Sequence, residues 1–256
     1  MTWSPSQYTL FEQQRNRPIF DLLARVPGEP RRIVDLGCGP GNSTELLRHR
    51  FPDAEVIGID SSPEMVEAAW RRLPGVRFEV GDIANWDDGR PYDLIFANAS
   101  FQWVSGHEVL LPRLMKKLNP GGSLAVQVPD NLEEPSHVLM REVAADPRWA
   151  GKLSKQPRDL ALRREAGWYL RLLQQQAEQV DVWRTTYYHP LKRGPSDVVE
   201  WFKSTGLRPF LQPLDENEQA EFLRRYLAAV TSSYPPAEDG SSLLAFPRLF
   251  FVATCR

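Results

Sequence analysis

A glycine-rich turn, Val34-Asp35-Leu36-Gly37-Cys38-Gly39-Pro40-Gly41-Asn42-Ser43, separates a segment of strand composition from one of helix composition. Glycines let a chain reverse sharply and let a ligand reach the backbone without meeting a Cβ. Ahead of the turn, Arg31 to Leu36 is a short run ending in apolar residues; behind it, Asn42 to Arg50 reads as a helix. A second strand-like run, Ala54 to Asp60, ends in a carboxylate nineteen residues after Gly41. Strand, glycine turn, helix, strand and terminal acid make up a nucleoside-binding unit. In such a unit the acid accepts hydrogen bonds from both ribose hydroxyls.

The alternation continues. Ser62-Pro63-Glu64 places an N-cap before a proline at the first helical position, and that helix runs to about Arg72. Val76 to Val80 and Tyr92 to Asn98 read as strands, His107 to Leu118 as a helix ending at Asn119-Pro120-Gly121-Gly122, and Ser123 to Val128 as a fifth strand. Strands spaced by helices imply an α/β fold with a mostly parallel, Rossmann-like sheet covered on both faces. From Pro129 to about Gln179 the chain is polar, helical and rich in Arg and Gln. Gln179 to His189 returns to strand composition, Pro195–Gly206 and Asp215–Tyr234 read as helices, and Phe246 to Thr254 as a C-terminal strand. The expected organisation is an N-terminal helical lid segment (1–30), a nucleoside-binding core (31–128), a helical cap insertion (129–179) and the rest of the sheet with its helices (180–256).

The ligand can be narrowed further. A dinucleotide fingerprint wants G-x-G-x-x-G/A, but Asn42 stands where the last Gly or Ala would fall. Asp35 precedes the glycines, and a carboxylate there repels a pyrophosphate and tolerates a cation. S-adenosylmethionine, with its sulfonium and ammonium, suits this charge better than NAD. No Gly-Lys-Ser/Thr follows the glycines, which excludes a Walker loop.

Asp35-Leu36-Gly37-Cys38-Gly39-Pro40-Gly41 resembles motif I of the class I S-adenosylmethionine-dependent methyltransferases. Asp60 matches their ribose-binding acid, Gly81-Asp82-Ile83 their adenine-contacting segment and Phe96-Ala97-Asn98-Ala99 their fourth-strand motif. The resemblance implies a seven-stranded sheet with an antiparallel last strand, and cofactor binding by Asp35, Gly37, Cys38, Gly39, Gly41, Asn42, Asp60, Ser61, Asp82, Ile83, Asn98 and Ala99. Further segments are similar to the trans-aconitate 2-methyltransferases. These are Trp3-Ser4, Gln7-Tyr8, Arg15-Asn16-Arg17-Pro18, Phe101-Gln102-Trp103-Val104, Val128-Pro129-Asp130-Asn131, Thr205-Gly206-Leu207-Arg208-Pro209 and Phe246-Pro247-Arg248-Leu249-Phe250. That family esterifies one carboxylate of trans-aconitate.

A carboxylate is already ionised at neutral pH, so this chemistry needs no general base. A tricarboxylate needs cations instead, and the chain holds 25 Arg against 6 Lys. The candidates are Arg15, Arg17, Arg184, Arg208 and Arg248. Arg208 leads, as a clamp on a carboxylate that does not react. Strand alternation puts Trp183, Thr185, Tyr187 and His189 on one face. Gln102 and Trp103 follow the fourth strand at its carboxyl end, where open α/β sheets bind ligands. The expected substrate contacts are Gln102, Trp103, Tyr187, Arg208, Arg15, His137, Trp183 and Tyr8. Two alternatives stand beside this reading: another small acid or hydroxylated metabolite as acceptor, or a module that binds S-adenosylmethionine without catalysis.

Composition excludes other classes. A formal net charge of -2 over 256 residues argues against nucleic acid as partner. No apolar run approaches the roughly 18 residues of a membrane span, and the opening residues lack a secretory signal. Cys38 and Cys255 cannot build a disulfide framework. Four scattered histidines offer no metal site. The expectation is a cytoplasmic enzyme without metal; monomer and homodimer both remain open.

Overall fold

A computed structural model describes residues 11–153, 164–203 and 205–256. In chain order the elements are α1 (Glu12–Leu23), β1 (Arg32–Leu36), α2 (Asn42–Arg50), β2 (Glu55–Asp60), α3 (Pro63–Arg72), β3 (Arg77–Val80), β4 (Tyr92–Asn98), a 3-10 turn (Phe101–Trp103), α4 (His107–Met115) and β5 (Leu118–Pro129). There follow α5 (Pro135–Ala144), α6 (Pro147–Leu153), α7 (Ala166–Leu173), β6 (Ala177–Leu191), α8 (Pro195–Lys203), α9 (Arg208–Leu211), α10 (Glu216–Ser233) and β7 (Ser242–Cys255).

The seven strands form one sheet in the order β3-β2-β1-β4-β5-β7-β6. β1 pairs in parallel with β2 and β4, β2 with β3, and β4 with β5, while β7 runs antiparallel to β5. The order reverses between β1 and β4. Outside the carboxyl ends of strands at such a point, an open α/β sheet leaves a crevice for ligand.

Local chemistry explains most element ends. Ser62 caps α3 by accepting the Met65 amide at 3.3 Å, with Pro63 in the first turn. Asp215 and Glu218 close a reciprocal capping box on α10. Several boundaries differ from the sequence expectation; β7, for one, begins at Ser242 rather than Phe246, and β6 at Ala177 rather than Gln179. α4 stops at Met115 rather than Leu118, because β5 already starts at Leu118. The Asn119–Gly122 turn is absorbed into that strand as a bulge, between the pairs Tyr92↔Leu118 and Leu94↔Ser123. A Cβ on Gly122 would lie 2.9–3.1 Å from three backbone oxygens, so only glycine lets the strand close there. The helix expected over Pro195–Gly206 ends at Lys203. Arg208, expected in a turn, opens a separate four-residue helix.

By contact the described residues fall into two compact units. The first lies within Met1–Pro129, Ala161–Thr185 and Arg248–Arg256, the second within Asp130–Leu160 and Thr186–Pro247. The segment expected as one cap is thus shared: α7 counts with the first unit, α5 and α6 with the second. The first unit's core includes Val34, Leu36, Ile57, Ile59, Ile95 and Leu124 from the strands, with Leu110, Leu111 and Leu114 of α4. α1 is tied in by buried Ile19 and Leu22 and by Arg72, which binds both Glu12 and Glu45. The second unit's core is aromatic. His189 stacks on Trp201 at 4.8 Å, Trp201 meets Phe246 at 5.6 Å, and Phe222 lies between Trp149 and Phe210. Among the described residues no helix is long and apolar enough to cross a membrane.

Candidate functional site

The three loop glycines do different work. Gly37 has φ +78°, and a Cβ there would lie 2.3 Å from the Ser100 Cβ. It lets the β1 loop pass against the residues after β4, where the Ser100 hydroxyl donates to the Leu36 carbonyl at 2.8 Å. Gly41, at φ +89°, packs on Ala69 of α3. Gly39, at φ +54°, has no atom within 4 Å of its would-be Cβ. It is the loop glycine whose missing side chain serves no protein neighbour among the described residues, which suits close approach by a ligand.

Two carboxylates flank this loop. Asp60, at the end of β2, accepts the Gly39 amide on one oxygen and the Ser62 amide on the other, both at 2.9 Å. Burial raises its pKa, and these backbone donors oppose the rise. Asp35 is fully buried at the end of β1. Its Oδ2 accepts the Ser43 hydroxyl at 2.6 Å and the Thr44 hydroxyl at 2.7 Å. Burial outweighs these bonds and pushes its pKa up to about 6.

Three acceptor oxygens here are buried and lack a hydrogen-bond partner among the described residues: Asp35 Oδ1, Asn98 Oδ1 and Gln102 Oε1. They sit at the carboxyl ends of β1 and β4 and on the turn that follows β4. Ala99, between the last two, has φ +53° and is the one described non-glycine residue with positive φ. Strain of this kind persists where the surroundings enforce it, commonly at functional sites. The Ala99 amide donates to the Gln127 carbonyl at 2.9 Å, and its own carbonyl accepts the Gln102 Nε2 at 2.6 Å.

The other expected cofactor residues spread around this end. Asn42 is buried and donates to Asn16 Oδ1 of α1 at 2.8 Å. Ser61 is exposed. Asp82 is exposed and accepts the Ala84 amide at 2.9 Å, beside buried Ile83, whose carbonyl is held by Arg113 of α4 at 3.0 Å. The Cys38 side chain packs with Val66, Ala69, Val76 and Phe78, away from solvent.

The expected substrate residues do not all share one unit. In the first unit, Gln102 and Trp103 lie on the turn after β4, and Trp103 is half exposed. Arg15 is buried in α1, whereas Arg17 and Arg184 are exposed. Trp183 lies between Phe250, stacked at 4.9 Å, and the Arg25 guanidinium, 4.6 Å above the ring. Arg248 is buried on β7 and donates to Gln127 Oε1 of β5 at 3.1 Å. In the second unit, His137 is buried in α5, edge-on to Phe202 at 4.9 Å. Tyr187 and His189 are buried on β6, and their neighbours Thr186 and Tyr188 are exposed, as strand alternation requires. Arg208 begins α9 half-buried, and desolvation lowers its pKa. Tyr8 lies outside the described residues. Among the described residues no group of three or more His, Cys, Asp or Glu could hold a metal.

Sequence reasoning missed Ser100, Gln127, His107 and Tyr169. Ser100 and Gln127 carry no motif signal. The contact of His107 with Tyr169 spans 62 positions, beyond any local pattern.

Comparison with known proteins places the chain in a family. Residues 33–122 match a methyltransferase domain family. A trans-aconitate 2-methyltransferase of Methylobacterium nodulans is 54% identical over 98% of this chain and 97% of its own. One from Methylobacterium radiotolerans is 53% identical and one from Yersinia pseudotuberculosis 50%, each over the same shares of the two chains. Among solved structures, the YcgJ protein of Bacillus subtilis superposes with a TM-score of 0.56 at 13% identity, over 93% of this chain and 97% of that one. A phosphoethanolamine N-methyltransferase of Haemonchus contortus gives 0.54 at 15%, over 93% of this chain and 52% of that one. These last two likenesses concern the fold.

Proposed function

Since the chain belongs to the trans-aconitate 2-methyltransferase family, we propose that it transfers a methyl group from S-adenosylmethionine to one carboxylate of trans-aconitate. When bound, S-adenosylmethionine supplies the methyl on a sulfonium, and transfer to a carboxylate oxygen leaves a monomethyl ester and S-adenosylhomocysteine.

The observation that carries this reading is the set of buried, unpartnered acceptors Asp35 Oδ1, Asn98 Oδ1 and Gln102 Oε1. Each such oxygen costs about 1–3 kcal/mol if left unmatched. A ligand with an ammonium, a sulfonium and an amino-purine matches acceptors, whereas a pyrophosphate would face Asp35 with like charge. On this reading Asp60 holds the ribose diol, Asp82 takes the adenine amine beside Ile83, and Gly39 gives the ligand access to the loop backbone. Gly37, Gly41 and Asn42 shape that loop. Cys38 contributes only its backbone, because its side chain is committed to the core.

The reacting carboxylate is ionised at neutral pH, so no residue is assigned as general base. Rate enhancement then rests on positioning, which can supply roughly 7–11 kcal/mol. The reaction destroys charge. A guanidinium gripping the reacting carboxylate would stabilise it before transfer and blunt its attack. Arginine therefore suits the spectator carboxylates, and the candidates are Arg208 first, with Arg15 or Arg17 as the alternative. Weaker donors and aromatic walls, such as Gln102 and Trp103 on the turn after β4, are left for the reacting group. Arginine stays charged even where burial lowers its pKa.

The test is a panel of di- and tricarboxylates incubated with the purified chain and methyl-labelled donor, scored by mass. The expected result is one added methyl on trans-aconitate, removed by mild alkali. Preferred methylation of a neutral hydroxylated compound would overturn the proposal, and so would donor binding without transfer to any acid.

A further inference from the structure

His107, at the start of α4, is 4% exposed and makes two hydrogen bonds in the first unit. Its Nε2 lies 3.0 Å from the Phe101 carbonyl and its Nδ1 2.9 Å from the Tyr169 hydroxyl. A carbonyl only accepts, so Nε2 carries the proton. The neutral ring then has a lone pair on Nδ1, and the tyrosine hydroxyl donates to it. One arrangement of protons satisfies all three groups. Tyr169 is itself buried and stacks on Phe251 of β7 at 4.7 Å. A relay of contacts thus runs from the sheet through Tyr169 and His107 to the backbone of Phe101. That residue opens the turn carrying Gln102 and Trp103, two residues after the strained Ala99.

We propose that His107 and Tyr169 are positioning residues for methyl transfer: they clamp the Phe101 carbonyl so that Gln102 and Trp103 stay at the carboxyl end of β4. The proposal rests on the reading that this edge holds the reactants. An imidazolium would turn a second N–H toward the tyrosine, which would have to swing its own proton away. Burial lowers the His107 pKa, the Phe101 and Val104 carbonyls oppose this, Glu108 raises it and Arg164 lowers it. Acidification through the lowered value leaves the Nε2–H bond to Phe101 in place and reverses only the bond to Tyr169.

Misplacing a reacting group by about 1 Å costs on the order of a hundredfold in rate. His107→Leu should lower kcat by about that factor with KM for trans-aconitate changed less than about twofold. Tyr169→Phe should lower kcat by about tenfold. His107→Gln keeps an amide N–H for the Phe101 carbonyl; it should recover much of the loss. Imidazole nitrogen shifts of the wild-type protein, assigned by comparison with His107→Gln, should show an Nε2–H tautomer resisting protonation below the ordinary histidine range. Wild-type kcat in folded His107→Leu overturns the proposal, as does a His107→Gln variant no more active than His107→Leu, or an Nδ1–H tautomer. If the wild type fails to methylate any acid, the functional reading falls, while the nitrogen shifts still decide the clamp.

Discussion

The loop end of the first unit and the Ser136–Tyr226–Tyr234 network of the second treat buried polar groups in opposite ways. In the second unit Tyr226 donates to the Ser136 carbonyl at 3.0 Å, and the Ser136 amide donates to Tyr234 at 3.1 Å. Ser242 closes on the Tyr234 carbonyl at 2.7 Å. Asp197, nearly buried, accepts both the amide and the side chain of Arg193. Each of these donors meets an acceptor, and the result is scaffold. At the loop end, a buried carboxylate, a buried amide and a glutamine each keep an oxygen unmatched, beside a strained alanine. Stability withheld at one place is available to a ligand, as expected where a site departs from rules the rest of the fold obeys.

The sharpest way to break this contrast is at the glycines. Gly37→Ala combines a left-handed backbone with a 2.3 Å clash against Ser100. We expect a loss of about 2–4 kcal/mol in urea unfolding, from the sum of both penalties. Gly39→Ala meets no neighbour, so it should lose only about 1 kcal/mol of stability yet bind S-adenosylmethionine far more weakly by calorimetry. Equal stability losses at the two glycines would erase the distinction drawn between them.

Next in size is Asp60→Ala. It removes the proposed ribose contact and frees the Gly39 and Ser62 amides, and donor affinity should fall by about 1.5–3 kcal/mol. Unchanged affinity would remove Asp60 from the site.

Arg208→Ala, in the second unit, probes whether that unit serves the acceptor rather than the donor. KM for trans-aconitate should rise about tenfold, more than kcat falls, with calorimetric donor affinity intact. A monocarboxylate should be a poor substrate already and suffer little more from the change. Equal slowing of both acids would make Arg208 structural, or place it on the reacting group.

The smallest effect is a pH dependence. Folding raises the Asp35 pKa to about 6 from an ordinary value near 4, so its neutral form is favoured. Its contribution to the stability of the ligand-free protein is complete below the ordinary value and is lost as pH rises through about 6. A cationic ligand favours the ionised form. Donor affinity should therefore strengthen about threefold as pH climbs toward 6 and level off above it, with a flat profile in Asp35→Asn. A decline over that range would contradict the cationic assignment.

What could be foreseen follows the same divide. β1, α2 and β2 and their glycine turn were legible because each is specified within a few residues, by cap, apolar run and turn. The close of β5 was not, because the Asn119–Gly122 bulge is decided by backbone oxygens of Tyr92 and Asp93 on the neighbouring strand. Nor was the second unit as a unit, since it joins two stretches of chain separated by α7 and the first part of β6. Of the candidate site, Asp35, Asp60 and Asn98 fell within motifs. The unmatched Oε1 of Gln102 and the anchoring of its turn by His107 emerge only from contacts across the fold.

Carboxylate methylation itself is tested most directly by the position of the transferred carbon. With a donor carrying 13C in its methyl group and trans-aconitate as acceptor, the product should show a methyl ester resonance coupled through three bonds to one carboxyl carbon, formed in step with S-adenosylhomocysteine. A labelled methyl on any atom other than a carboxylate oxygen, or donor left unconsumed by an enzyme that binds it, would contradict the account.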